Sequence, residues 1–410
     1  MARPSLKFDL TGQAFKRDPM PTFARMRAAG AVVPTRIPII GPIAYVTTHA
    51  AVVDLLKDAD RFAVDARNAG RKTMFGLKWW MPRHIRLLAN NMLTMDDPDH
   101  RRLRRLVDKA FSRRSVDAYR DRIGEIADEL LDELAASSDR DMVSHFARAL
   151  PLAVICELLG LPAADRPTFI RWMAAMSSVR SVYGFFRMMP ALKKLSAYLR
   201  DQFAARRRAP RDDLISALVE VEEQGDQLSE DELLAMCFLL FVAGHETTTH
   251  LISGGLLALL QNPDQLERLK ADWGEAPVAV DELLRYVSPV QITKPRLAKA
   301  DMEFAGATLR RGDALVALLA SANCDPDAFD APERLDLARA PNRHVAFGGG
   351  PHLCLGLQLA RAEAAIAFER LFTRFPDLRL GIPEDDLRWT ERIGLRALTR
   401  LPVALGRSAG

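Results

Sequence analysis

The chain has 410 residues, 49% hydrophobic and 27% charged, as in a water-soluble globular protein; a disordered chain is excluded. Lys and Arg number 57 against 53 Asp and Glu, and a net charge of +4 argues against a dedicated nucleic-acid binder. Four scattered cysteines without a Cys-x-x-Cys pair exclude a zinc ribbon and a disulfide framework, and fit a reducing compartment.

In chain order, Pro21 to Gly30 reads as a helix. Ala31 to Ile37 and Ile43 to Thr48 read as a hairpin turning on Gly41-Pro42. Residues 64 to 90 lack a period and read as a long loop. Helices are expected at about 99–112, 116–136, 141–159, 164–177, 187–207 and 211–224. A long central helix follows, then helices near 264–272 and 276–287. Short strands fit 291–298 and 314–319. A Gly-rich loop covers 347–353, a last long helix starts near Cys354, and the tail 385–403 can hold a hairpin. The expected class is mainly α with small β-sheets (α+β). The β-rich part lies near the two ends, and the helical part covers about 99–290 and 354–376. No repeat, P-loop or Gly-x-Gly-x-x-Gly is present.

The central segment, Leu233 to Leu260, is long enough to span a bilayer. Its middle reads His245-Glu246-Thr247-Thr248-Thr249-His250, which is costly in lipid. It is better read as a helix buried in a large protein, capped by the box Ser229-x-x-Glu232 and ended by Asn262-Pro263. At the standard rise it would be about 48 Å long. Glu246 is its only carboxylate after the first turn, so it needs a partner or a task. Ala243 and Gly244 remove side-chain bulk beside it, leaving the backbone open to a ligand.

The sharpest segment runs Phe347-Gly348-Gly349-Gly350-Pro351-His352-Leu353-Cys354-Leu355-Gly356. Glycines let a planar group lie on the backbone. A cysteine at the start of a helix is stabilised as thiolate and is a soft ligand suited to haem iron. Taken alone, the same residues also describe a Gly-rich turn beside a packing cysteine.

The run Phe347-Gly348-x-Gly350-x-His352-x-Cys354-x-Gly356, with Leu359-Ala360-Arg361, resembles the haem-ligand signature of the cytochrome P450 superfamily. Ala243-Gly244-His245-Glu246-Thr247 resembles its oxygen-activation motif. Glu282-x-x-Arg285 with Pro332-Glu333-Arg334 resembles its buried ion network, although Leu335 stands where an aromatic residue is usual. Asp97-Pro98-Asp99-His100-x-x-x-Arg104 resembles a haem-propionate segment, as does Arg296. The four occur in the family's order and cover nearly the whole chain.

This resemblance implies one P450 domain over residues 1–410, holding haem b. Cys354 would ligate the iron, and His100, Arg104, Arg296 and His352 would meet the propionates. Phe347, Gly348, Ala243 and Gly244 would border the cofactor. Thr247 would hold the hydrogen-bond network of bound O2 and Glu246 would deliver protons. Arg334 would complete the ion network. The resemblance further implies a cytoplasmic monomer without membrane anchor or fused reductase. NAD(P)H electrons would reach it through a ferredoxin or flavodoxin with its reductase. Arg101, Arg105 and Lys109 form either a solvated face or the docking surface for that acidic carrier.

The implied reaction is hydroxylation or epoxidation of a hydrophobic small molecule such as a terpenoid, steroid, fatty acid or polyketide. The alternatives are a peroxide-driven peroxygenase on the same fold and a non-catalytic haem ligand carrier. Candidate substrate contacts are Phe75, Trp79, Trp80, Met81, Met173, Met176, Phe185, Phe186, Met188 and Met189. Leu239, Val242, Ala243, Val290, Gln291, Ile292, Ile393 and Leu395 join them.

Overall fold

The structure is a computed structural model that describes residues 7–37, 41–71, 91–108, 111, 113–165, 167–168, 171–172, 182–223 and 229–406. Short helices α1 (Gln13–Arg17) and α2 (Met20–Ala29) lead into strands β1 (Val32–Ile37) and β2 (Gly41–Val46), then α3 (His49–Lys57) and β3 (Phe62–Ala63). A helical block follows: α4 (Asp99–Asp108), α5 (Arg113–Ala118), α6 (Arg120–Ala136), α7 (Ala149–Leu158), α8 (Val182–Arg208), α9 (Leu214–Glu223), α10 (Glu230–Gln261), α11 (Pro263–Ala271) and α12 (Ala276–Val287). The rest alternates: β4 (Arg296–Ala298), β5 (Met302–Phe304), β6 (Ala307–Leu309), β7 (Ala314–Ala317), α13 (Leu319–Asn323), α14 (Leu357–Arg374), β8 (Arg379–Leu380) and β9 (Val403–Ala404).

The main sheet has the order β1-β2-β7-β4-β3, antiparallel except for the β2–β7 pair. Alternation along its strands supplies two apolar faces. Leu315 and Ala317 join a cluster with Val52 and Phe62, whereas Ala314 and Val316 join Phe15 and Phe23. The largest core is helical and includes Phe146, Phe238, Phe241, Phe368 and Phe372.

Several boundaries differ from expectation. Gly41 and Pro42 lie inside β2, paired with Ile37 and Arg36, because the β1–β2 ladder runs further than the turn signal implies. The helix expected at 141–159 opens with Asp141 bridging Pro402 and a π-helical turn, Val143–Ala147, before α7. Helix 116–136 divides at Tyr119 into α5 and α6. Only Arg296–Ala298 of the strand expected at 291–298 pairs, and 314–319 turns into α13 after Ala317. The tail forms isolated bridges, Trp389 with Leu398 and Val290 with Leu395, in place of a continuous hairpin. The helix expected at 164–177 lies mostly outside the described residues.

The 32-residue helix α10 is the organising element, and its capping box between Ser229 and Glu232 forms as read. Among the described residues no helix is long and apolar enough to cross a membrane. A Cβ on Gly254 would stand 2.6 Å from Val287 Cγ1, so only glycine admits the close crossing of α10 with α12. His250 on the same helix is buried with Nδ1 unpartnered among the described residues. Burial pushes its pKa down to about 3, helped by the charges of Arg148 and Arg392 and by His245. The unfolded imidazole takes a proton near pH 6.5 and the folded one does not. Stability is therefore full above that pH and falls as pH drops from about 6.5 toward 3. Urea midpoints at pH 7 and pH 5 should differ more in the wild type than in His250→Leu; equal slopes would remove His250 from this account.

A candidate haem site between the central helix and the cysteine loop

A cavity of about 380 Å³ lies between α10 and the loop that precedes α14. Ala243, Gly244, Thr247 and Thr248 line it from α10. Phe347, Gly348, His352 and Cys354 line it from the loop. His100 and Arg104 reach it from α4, and Arg296 from β4. Apart from Glu246, every cofactor or catalytic candidate from the sequence thus meets one space.

The loop is held by its own backbone. The Cys354 amide donates to the Phe347 carbonyl at 2.9 Å and the Gly348 amide to Val345 at 2.8 Å. Gly350 has φ +64, and a Cβ there would lie 2.1 Å from the Leu56 carbonyl oxygen, so the loop presses on α3. Helix α14 begins at Leu357, three residues beyond Cys354, because Leu353 and Gly356 leave helical geometry. Burial pushes the Cys354 thiol up, while the Gly356 amide, Arg104 and Arg361 favour the thiolate. Phe347 is pinned beneath the Arg361 guanidinium, 5.1 Å from its ring centre, and Arg361 pairs with Asp281 at 2.7 Å.

The basic residues differ in how they are satisfied. Arg104 pairs with Asp108 at 2.7 Å and donates to the Leu353 carbonyl at 2.6 Å. The His100 and His352 rings lie 4.2 Å apart. Burial lowers both imidazoles, His352 to about 3 with Arg296 adding to the effect. Arg296 is only 8% exposed, its guanidinium has no hydrogen bond or ion pair among the described residues, and burial lowers it to about 10. Asp108 answers Arg104 and Asp97 stands 3.6 Å from His100 Nδ1, whereas Asp96 acts on Arg296 only at a distance, so Arg296 is the member of the cluster without an ion pair among the described residues.

On α10, Thr247 Oγ1 donates to the Ala243 carbonyl at 2.8 Å, and Thr248 and Thr249 bond back in the same way. Glu246 does not line the cavity. It pairs with Arg392 from the tail, Nη1 to Oε1 at 2.5 Å. Of the expected substrate contacts, Leu239, Ala243, Val290 and Ile292 line the cavity. Val242, Gln291, Ile393, Leu395 and Met189 do not. Phe75, Trp79, Trp80, Met81, Met173 and Met176 lie outside the described residues, as do the side chains of Phe185, Phe186 and Met188.

The ion network forms around Glu282 and Arg285, both fully buried, but its second arginine is Arg339. Arg339 Nε stands 3.1 Å from Glu282 Oε2, whereas Arg334 contributes only its carbonyl, which accepts from Arg285 and Arg339. The turn at 331–334 aims the Arg334 backbone inward, and Arg339 returns from the far side of the same loop. Sequence reasoning also missed Arg392, Lys294 and Glu363. Glu363 is buried on the cavity wall and pushed up to about 8, so it is protonated at neutral pH. On α14 its spacing is indistinguishable from that of an ordinary helical glutamate.

Comparison with known proteins fits this geometry. The Cytochrome P450 family model matches residues 191–276 and 277–387. The polyketide biosynthesis cytochrome P450 PksS of Bacillus subtilis (strain 168) is 39% identical, over 98% of this chain and 99% of that protein. Its solved structure superposes with a TM-score of 0.89, over 98% of this chain and 100% of that one. Mycinamicin IV hydroxylase/epoxidase of Micromonospora griseorubida is 45% identical over 77% of this chain and 80% of its own. The myxobacterial cytochrome P450 CYP267B1, solved with myristic acid, is 40% identical with a TM-score of 0.87, covering 97% of this chain and 99% of that one.

The chain belongs to the cytochrome P450 family. It is a haem-dependent monooxygenase that oxidises hydrophobic small molecules with electrons from a redox partner. The residues present fit that cofactor. A half-buried thiol faces the cavity, the walls are apolar, and the unpaired buried Arg296 suits a carboxylate.

Proposed function

We propose that Cys354 would hold the haem iron through its thiolate. Arg296, His100 and His352 receive the two propionates, and Arg104 braces the cysteine loop through Leu353. When bound, the haem supplies O2 activation, with the thiolate favouring O–O cleavage. Phe347 and Gly348 form the floor, while Ala243 and Gly244 keep the opposite wall free of bulk. Thr247 lines that wall with a hydroxyl able to release its bond to Ala243 and turn to a ligand. Glu246 accepts solvent protons and passes them inward once Arg392 releases it. The observation that carries this reading is the meeting of the Cys354 thiol, an unpaired buried Arg296 and the Ala243–Thr248 turn in one apolar cavity.

The substrate class is an apolar polyketide or fatty-acyl molecule, in keeping with the relatives' printed names. Electrons come from NAD(P)H through a ferredoxin or flavodoxin with its reductase, in the cytoplasm, to a monomer acting as one domain over 1–410. The partner docks near exposed Arg105; Arg101 on the same stripe is engaged by Asp97, and Lys109 lies outside the described residues.

The reduced carbon monoxide spectrum tests the assignment: a thiolate-type band is expected, and haem binding without it would refute Cys354 as ligand. Thr247→Ala should raise peroxide release per NAD(P)H several-fold while substrate binding persists. Unchanged coupling would remove Thr247 from proton handling.

A further inference from the structure

Helix α1 carries a lysine into the interior. Lys16 is fully buried, and its Nζ donates to Gln291 Oε1 at 2.8 Å and to the Leu395 carbonyl at 2.6 Å. Both acceptors are neutral, as is the Phe15 ring whose centre lies 5.2 Å away. Burial and the neighbouring Arg396 guanidinium lower the ammonium to about 8, so it keeps its proton at neutral pH. Arg396 is itself held by neutral groups, the carbonyls of Lys16 and Arg17 and the face of Trp389. Among the described residues neither cation has an ion pair. Asp9 and Asp18 act on them only at a distance, because Asp9 is engaged by Thr11 and Gly12 and Asp18 by the Met20 amide. Two neighbouring cations away from water cost free energy unless an anion offsets them.

Gln291 is left incomplete as well. It is 2% exposed, and its Nε2 is buried without a hydrogen-bond partner among the described residues. An ammonium can only donate, so it faces the amide oxygen, and this fixes the NH2 group as the orphan. The Gln291 backbone is already engaged, its amide by Gly394 at 2.8 Å and its carbonyl by Ala320. The ammonium carries three N–H donors, and two are placed. The lysine and the glutamine thus lack the same thing, an acceptor with negative charge. A water would answer the amide but not the charge. The Arg396 fork is taken by two carbonyls, which leaves a point charge and an amide; that set suits a halide better than a carboxylate or phosphate.

We propose that Lys16 Nζ and Gln291 Nε2 together bind one chloride ion. The ion joins α1 to the segment between α12 and β4 and to the tail at Leu395. Val290 and Ile292, on either side of Gln291, line the haem cavity while Gln291 does not, so the anion supports that wall from behind. The site stands independently of the haem assignment.

The test compares urea midpoints of the haem-loaded protein at pH 7 in sodium chloride and in sodium gluconate, at one ionic strength. Above the dissociation constant, the wild-type folding equilibrium should rise about tenfold for each tenfold rise in chloride, and should not rise in gluconate. Gln291→Glu places a carboxylate beside Lys16 and should remove the chloride response with the fold kept. Lys16→Met should remove the response too. Crystals grown in sodium bromide should show anomalous density within hydrogen-bond reach of Lys16 Nζ and Gln291 Nε2. Equal midpoints in chloride and gluconate would overturn the proposal, as would a chloride response that survives in Gln291→Glu. A water between the two groups with no bromide signal would overturn it as well. If Lys16→Met does not fold, Gln291→Glu and the bromide map decide.

Discussion

Replacing Glu282 with alanine is expected to cost about 3–5 kcal/mol of stability, a large share of the roughly 5–15 kcal/mol that holds a native protein together. The carboxylate is fully buried and accepts from Arg285 Nε and Nη2, both at 2.8 Å, and from Arg339 Nε. The Asp336 amide and Asn342 Nδ2 also donate to it, each at 3.1 Å. Alanine would strand two guanidinium groups in a low-dielectric interior. Arg285 further donates to the carbonyls of Asn323, Pro332 and Arg334, and Asn323 Oδ1 accepts from the Val345 amide at 2.8 Å. The network thus pins the stretch that delivers the cysteine loop, and haem retention should fall with stability. Urea unfolding and haem content measure both. A midpoint change worth less than about 1 kcal/mol would show that the network is not structural. Arg334→Ala should be close to neutral beside Arg339→Ala, since only Arg339 brings its side chain to Glu282.

The second large effect is expected from Cys354→Ser. Serine keeps the shape, and the loop's bonds from Cys354 to Phe347 and from Arg104 to Leu353 involve backbone carbonyls. The loop and the basic cluster should survive, so haem should still bind. A neutral hydroxyl does not supply the electron density of a thiolate. Monooxygenation should drop by about a thousandfold, equivalent to roughly 4 kcal/mol of barrier, and the thiolate-type carbon monoxide band should vanish. Retention of that band in Cys354→Ser would transfer the ligand role elsewhere; Cys156, Cys237 and Cys324 are buried in packing.

Much of the fold was legible because its signals are local. Ser229 and Glu232 meet within one helical turn, so the start of α10 could be read from four residues. Cys354 stands in a run of glycines whose spacing is itself a pattern. Partners set by long-range topology were not legible. Glu246 meets Arg392 across 146 residues, and Glu282 chooses Arg339 over Arg334 by the curl of one loop. Glu363 has no local signature, since a carboxyl becomes unusual only after the chain has closed around it.

Lys16 ties helix α1 to residues distant in sequence. Its Nζ, fully buried on α1, donates to Gln291 Oε1 at 2.8 Å and to the Leu395 carbonyl at 2.6 Å. Gln13 exchanges bonds with the Trp389 backbone, and Arg396 donates to the carbonyls of Lys16 and Arg17. The Gln291 amide in turn donates to Gly394. A ribosome releases these partners 376 to 380 residues apart. Residues 13–17 must wait, with a lysine destined for the interior still in water, until residues 389–396 emerge. The rim that carries Ile292 and Arg392 is therefore completed only after residues 389–396 have emerged.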